Sequence, residues 1–190
     1  MKTPKLTGKN IILRPLSLRD AVHFYQWLND REVTQFLEMY DKTPPTLKQE
    51  RDYIIKKKRS NDAIQFSINT TEGVHIGTIA LDKIDALHKR ALFGIFIGNK
   101  RYWGQGLGTQ ATKMILEYGF GKLRLNRIYL AVHAYNIRGL KAYKKAGFIV
   151  EGRFRDHIYR KGAYHDEIRM GILKNDWLKN NKKLYGRKRK

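Results

Sequence analysis

Apolar positions change period several times along the chain, and each change marks an element. NIILRPL at 10–16 alternates like a short strand and is stopped by Pro15. Ser17, with Asp20 three residues on, has the spacing of a capping box, and Ala21, Phe24, Tyr25 and Leu28 then recur at helical intervals. A short apolar piece, VTQFL at 33–37, reads as helical, and DKTPP breaks the chain after it. Thr46 with Gln49 forms a second capping box, opening a basic helix that runs through KKKRS at 56–60.

The middle of the chain turns to period two. AIQFSINT, a TEG turn and VHIGTIALDKI predict a pair of antiparallel strands. RALFGIFIG at 90–98 is almost continuously apolar, the pattern of a strand covered on both faces. After a glycine-rich stretch, Leu107, Ala111, Ile115 and Tyr118 form one helical stripe. RIYLAV at 127–132 predicts another strand, and a helix from about Asn136 to Lys145 stops at Gly147. FIVEGRF and EIRMGIL alternate on either side of a KGAYHD turn. With no internal repeat and no linker, residues 1–181 are expected to form a single α/β domain with helices on a mixed sheet, followed by a basic tail at 182–190.

Composition narrows the chemistry. The absence of cysteine excludes disulfides, thiolate metal sites and an acyl-cysteine intermediate. The six histidines are scattered without HExxH spacing, so no metal is expected. No run reaches the length of a membrane span or a signal peptide, which points to a cytoplasmic protein. Lys and Arg total 39 against 17 Asp and Glu, a formal charge of +22. Such a field attracts anions, so nucleic acid, ribosomes and phosphorylated small molecules are candidate partners. The tail KKLYGRKRK carries six basic residues in nine and suits contact with a polyanion.

The most informative stretch is RYWGQGLGTQ at 101–110. A strand followed by a glycine-rich turn that opens a helix makes an anion site, because the first helical amides have no intrahelical partner. Gly104, Gly106 and Gly108 let the backbone approach a phosphate, and Arg101 adds a fixed positive fork. The spacing fits neither a P-loop nor the dinucleotide fingerprint. Three glycines at alternate positions are equally compatible with a tight turn packed against protein.

RYWGQG nevertheless resembles the pyrophosphate loop of the GCN5-related N-acetyltransferases, with Arg101, Gly104 and Gly106 in register. NRIYLAVHAYNIRGLKAYKKAGFIVEG at 126–152 is similar to a second region of that family, with Asn136 and the Tyr143, Gly147, Phe148 ending. ILRPLSLRDA, YWGQGLGTQA and GRFRDHIYRKGAYHDEIRM look most like the branch that acetylates ribosomal-protein N-termini and polyamines. The resemblance spans nearly the whole chain. It implies acetyl-CoA as co-substrate, held where the strands at 91–98 and 127–132 splay apart. The cofactor-binding set it implies is Phe96 and Ile97 on the strand edge, Arg101, Tyr102, Trp103, Gly104, Gln105, Gly106, Leu107, Gly108 and Thr109 in the turn, and Asn136 and Tyr143 beyond it.

By the same resemblance Tyr143 protonates the departing thiolate and Asn136 sits beside the co-substrate. Spacing alone also allows Tyr143 as an ordinary core aromatic, in line with Ile137 and Leu140, and Asn136 as a helix N-cap. For the base that receives the acceptor's proton the candidates are Glu32, His75, His133 and Glu151, each also readable as a surface or hydrogen-bonding residue. A protein α-amine, with a pKa of about 7.7–8.0, is partly neutral at pH 7, whereas a lysine-type amine near 10.4 needs about 4.6 kcal/mol of adjustment. The first-choice acceptor is therefore a protein N-terminus. Amino sugars, nucleotide-linked or free, and polyamines are alternatives, the latter if Asp30, Glu32 and Glu38 form an acidic pocket. A non-catalytic ribosome- or RNA-binding module is the non-enzyme reading, and the family resemblance also implies a homodimer.

Overall fold

A computed structural model describes residues 3–38, 40 and 42–181, so the basic tail at 182–190 lies outside the described residues. Eight strands form one sheet in the order β1-β2-β3-β4-β5-β6-β8-β7. They are β1 (Leu6–Thr7), β2 (Ile11–Pro15), β3 (Ile64–Thr70), β4 (His75–Asp85), β5 (Arg90–Ile97), β6 (Arg127–His133), β7 (Ile149–Arg160) and β8 (Ala163–Leu173). All neighbours are antiparallel except β5 and β6. The helices are α1 (Asp20–Leu28), α2 (Arg31–Thr34), α3 (Leu47–Arg59), α4 (Leu107–Gly121), α5 (Ile137–Ala146) and α6 (Lys174–Asn180). The expected α/β class with a mixed central sheet and flanking helices is what the chain forms.

Two apolar clusters hold these layers. The larger joins the sheet to α4 through Ala111, Ile115, Leu116 and Tyr118, together with Phe148 and Trp177. The predicted stripe on α4 is therefore its buried face. The smaller gathers Leu16, Ala21, Phe24, Trp27, Val33 and Ile54 under α1 and α3. Phe66, Ile79 and Leu81 are completely buried, and each such burial is worth about 1.5–3 kcal/mol before the entropy of ordering.

The capping box at Thr46 and Gln49 is present as predicted. The one expected at Ser17 is only half formed. α1 begins at Asp20, whose carboxylate accepts the Ser17 N–H at 2.8 Å but is also drawn inward by Arg14, at 2.9 and 2.6 Å, and by the Ser67 hydroxyl at 2.6 Å. Burial alone would raise that carboxyl; the bonds from Arg14, Ser67 and Ser17 outweigh it and bring the pKa down to about 2. VTQFL yields only the one-turn α2, capped by the Asp30 side chain.

A strand covered on both faces exists, but it is β3, where every residue is buried. On β5 only Ala91 and Phe93 are, and the residues from Gly94 to Ile97 are half-buried or exposed. The reason lies in the pairing with β6. The two strands match at Arg90 with Arg127, Ala91 with Ile128 and Leu92 with Tyr129, and then part.

Candidate active site

Beyond Leu92 the separated strands leave a cleft of about 520 Å³. Its walls are the later part of β5, Leu130 to His133 of β6, the glycine turn and one face of α5. Gly106 occupies the N-cap position of α4 with φ of +76°, and Gly104 has φ of +75°. Both conformations are left-handed, which favours glycine. A Cβ at either would meet nothing within 4 Å, so these glycines are not required by packing against protein. The turn is exposed on the cleft side, and the amides opening α4 point to a space that an anion can fill.

Trp103 fixes the turn to the strand. Its indole N–H donates to the Ile97 carbonyl at 2.7 Å, and the Arg138 guanidinium lies 4.0 Å over its ring. Arg138, Lys141 and Lys145 line the cleft from α5. Burial lowers the pKa of Arg138 from its usual value. Asn136 serves as the N-cap of α5, accepting the Gly139 N–H at 2.9 Å, and lines the cleft as well. The N-cap reading of this residue holds.

Tyr143 also lines the cleft while packing edge-on against Phe93, with ring centroids 5.7 Å apart, and against Phe148. Burial pushes its phenol up to about 12, with Arg138 pulling weakly the other way. Among the cofactor-binding candidates, Phe96, Ile97, Tyr102, Trp103, Gly104, Gly106, Leu107, Gly108 and Thr109 all border the same space. Phe96 is shared with the smaller apolar cluster, where it meets Trp27 edge-on.

Arg101 and Gln105 do not line this cleft. Arg101 opens instead onto a separate cavity beside α1 and the β3–β4 turn, and Gln105 closes the loop by donating to the Arg101 carbonyl at 2.7 Å. The reason is the short 3-10 turn Lys100–Tyr102, which rotates successive side chains to different sides.

The base candidates scatter. Glu32 is exposed and shares Lys100 with Asp30, each at 2.8 Å, outside the cleft. The acidic pocket expected from Asp30, Glu32 and Glu38 is thus divided, and only Glu38 reaches the cleft wall. His75 lies buried in the other cavity, between the His23 ring and the Gly77 carbonyl, and burial lowers its pKa to about 4. Glu151 is engaged by the Arg127 fork. His133 alone of the four borders the cleft, stacked on Tyr135.

Directly across the β6–β8 ladder from His133 stands Glu167, a carboxylate that sequence reasoning did not single out. It lines the cleft, as Glu38 does. The only sequence signal was its place in the EIRMGIL alternation. The basic face of α5 was more legible, since Arg138, Lys141 and Lys145 are spaced by three and four.

The model of the acetyltransferase (GNAT) domain matches residues 10–149. The chain belongs to the GNAT family. It is 30% identical over 176 residues to the spermidine N(1)-acetyltransferase of Escherichia coli (strain K12), covering 93% of this chain and 92% of that protein. It is 33% identical to the uncharacterized N-acetyltransferase p20 of Bacillus licheniformis, over 90% of this chain and 97% of that one. Among solved structures, the spermidine N-acetyltransferase of Vibrio cholerae in complex with CoA and spermine superposes with a TM-score of 0.81 at 26% identity, over 90% of this chain and 99% of that chain. This GNAT protein is accordingly an acetyl-CoA-dependent acetyltransferase. Among its described residues no helix is long and apolar enough to cross a membrane, and no group of three or more His, Asp or Glu is placed to hold a metal ion.

Proposed function

We propose that this GNAT enzyme transfers the acetyl group of acetyl-CoA to a polyamine. The observation that carries the reading is that the cleft is lined by both signs of charge. Arg138, Lys141 and Lys145 line it from α5, and Glu38 and Glu167 line it from other elements. An anionic co-substrate and a cationic acceptor each find opposite charge. The relatives named for spermidine acetylation, one of them solved with CoA and spermine, support the same choice.

This acceptor replaces the protein N-terminus expected from sequence. The net charge of +22 repels a polycation through the long-range field, which salt screens within about 8 Å at physiological ionic strength. Inside the cleft the local carboxylates decide. The basic tail and any ribosome contact then have no part in choosing the acceptor.

The residues fit the phosphates of the co-substrate at the amides from 104 to 109, with the α5 cations alongside. The acetyl group would lie by the β5 edge near Phe96 and Ile97. The acceptor ammonium first loses a proton to solvent; the neutral nitrogen bonds to the acetyl carbon, the carbon–sulfur bond breaks, and the sulfur leaves as a thiolate while the extra proton on nitrogen passes to solvent. Tyr143 donates a hydrogen bond to the departing sulfur, and Asn136 holds the start of α5 beside it. Glu32 has no step in this scheme, because Lys100 engages it away from the cleft.

Thiol release from acetyl-CoA, followed with triamines, tetraamines, peptides with free N-termini and amino sugars, tests the proposal. A kcat/KM for polyamines at least tenfold above that for the other amines is expected. A preference for peptides would overturn it.

A further inference from the structure

Glu167 is only 7% exposed, yet it faces the cleft. Its Oε1 lies 2.7 Å from a terminal nitrogen of Arg169 and 3.8 Å from Nε2 of His157. The approach of Arg169 supplies charge but not a directed hydrogen bond, and this oxygen has no hydrogen-bond donor in the described structure. The Nε of Arg169 is likewise buried without an acceptor. A carboxylate oxygen withdrawn from water and undonated is destabilising, and the arrival of a donor relieves it. The guanidinium of Arg169 also lies over the face of Phe154, 4.9 Å from the ring centroid.

Its neighbours on the sheet are firmly held. Arg160 is buried and donates to the Gln35 and Leu37 carbonyls at 2.9 Å and to the Tyr135 hydroxyl at 3.0 Å. Tyr135 stacks on His133, the cross-strand partner of Glu167. Four elements, β6, the end of β7, β8 and the segment after α2, thus meet around one undonated carboxylate oxygen. That is the arrangement of a cation subsite, with Arg169 standing in for the ligand.

We propose that Glu167 anchors a second, non-reacting ammonium group of the acceptor, displacing Arg169 from its side. The inference rests on the polyamine reading and adds the residue that enforces it. β8 lies two strands away from β5, where the acetyl group is presented, so the cation at Glu167 belongs to a different amine of the same molecule. The subsite therefore selects an acceptor with at least two positive charges over a monoamine with the same reacting end.

The test compares wild type, Glu167→Gln and Arg169→Met with a triamine such as spermidine and with n-butylamine, acetyl-CoA being saturating. The KM for acetyl-CoA is measured separately. Glu167→Gln keeps the size of the side chain and removes its charge. The expected result is a fall of about tenfold in the ratio of kcat/KM for triamine over monoamine, carried by the triamine KM, with the KM for acetyl-CoA within twofold. Arg169→Met, which removes the stand-in cation, should lower the triamine KM. Equal losses for triamine and monoamine in Glu167→Gln, or a loss confined to kcat, would overturn the anchor while leaving the polyamine reading intact. A wild-type enzyme that releases thiol with peptides and not with any polyamine would refute the underlying reading and the anchor with it.

Discussion

Replacing Tyr143 by Phe removes one oxygen from the cleft and leaves the ring packing on Phe93 and Phe148 in place. The size of the effect follows from the phenol's pKa of about 12. A thiol ionises near 8.5, so complete proton transfer from this phenol to a thiolate is uphill by about 3.5 units, or about 4.8 kcal/mol. The proton is therefore shared with the departing sulfur rather than delivered to it. A hydrogen bond to a charged partner contributes about 1.5–3 kcal/mol, which corresponds to a rate factor of about 10 to 150. Tyr143→Phe should accordingly lower kcat by about 10- to 100-fold, with the KM for acetyl-CoA and the melting temperature nearly unchanged. Because the phenol holds its proton at every pH below about 12, the wild-type rate should show no alkaline loss from this group between pH 7 and 10. Thiol release against pH for both proteins measures each quantity. A kcat within twofold of wild type would refute a role at the sulfur. A loss of about 10⁴-fold would refute the argument from the pKa gap, since it would require full proton transfer.

Gly106→Ala places a Cβ at φ +76° and should cost about 1 kcal/mol of stability and at least tenfold in acetyl-CoA affinity, whereas Gly108→Ala, whose Cβ would sit 3.8 Å from Ile97, should leave the melting temperature within about 2 °C. Calorimetric titration and thermal melts separate the two, and equal stability losses would sink the conformational argument. His75 predicts an acid weakness with a definite sign. Its folded pKa of about 4 lies below the unfolded value near 6.5, so the unfolded chain takes up the proton first. Stability is then whole above about pH 7.5 and declines as pH falls through 6.5 toward 4, by about 2 kcal/mol at pH 5. Urea midpoints at pH 7.5 and 5.0 check this, and His75→Gln should flatten the difference; an unchanged slope in that variant would assign the decline to other groups.

Much of the fold was legible because burial and periodicity coincide in this chain. The Thr46 capping box, the α4 stripe and the Gly147 stop are local signals, and each was read correctly. β5 was misread because its apolar run is the same whether helices or a co-substrate cover it; what exposes Gly94 to Ile97 is the loss of pairing with β6, which no local pattern records. The glycine turn was legible in its chemistry but not in every side chain. Arg101 stands in register with the motif and faces elsewhere, because a 3-10 turn redirects it. Glu32 was drawn from composition, where a carboxylate near the expected cleft is indistinguishable from one already claimed by Lys100. Glu167 was invisible for the opposite reason: it belongs to a strand far along the chain, and only the antiparallel register of β6 and β8 sets it opposite His133.

Three residue pairs make up the ladder between β5 and β6. The hydrogen-bonded ladder is therefore closed at one end of the β5–β6 seam and open along the rest, while one apolar core runs beneath both sides. A ligand seated in that seam contributes stiffness as well as reactivity, because it couples the two strands over a length the polypeptide leaves unbonded. Occupancy and stability are thereby linked, since a ligand that binds the folded chain in this seam stabilises it by mass action.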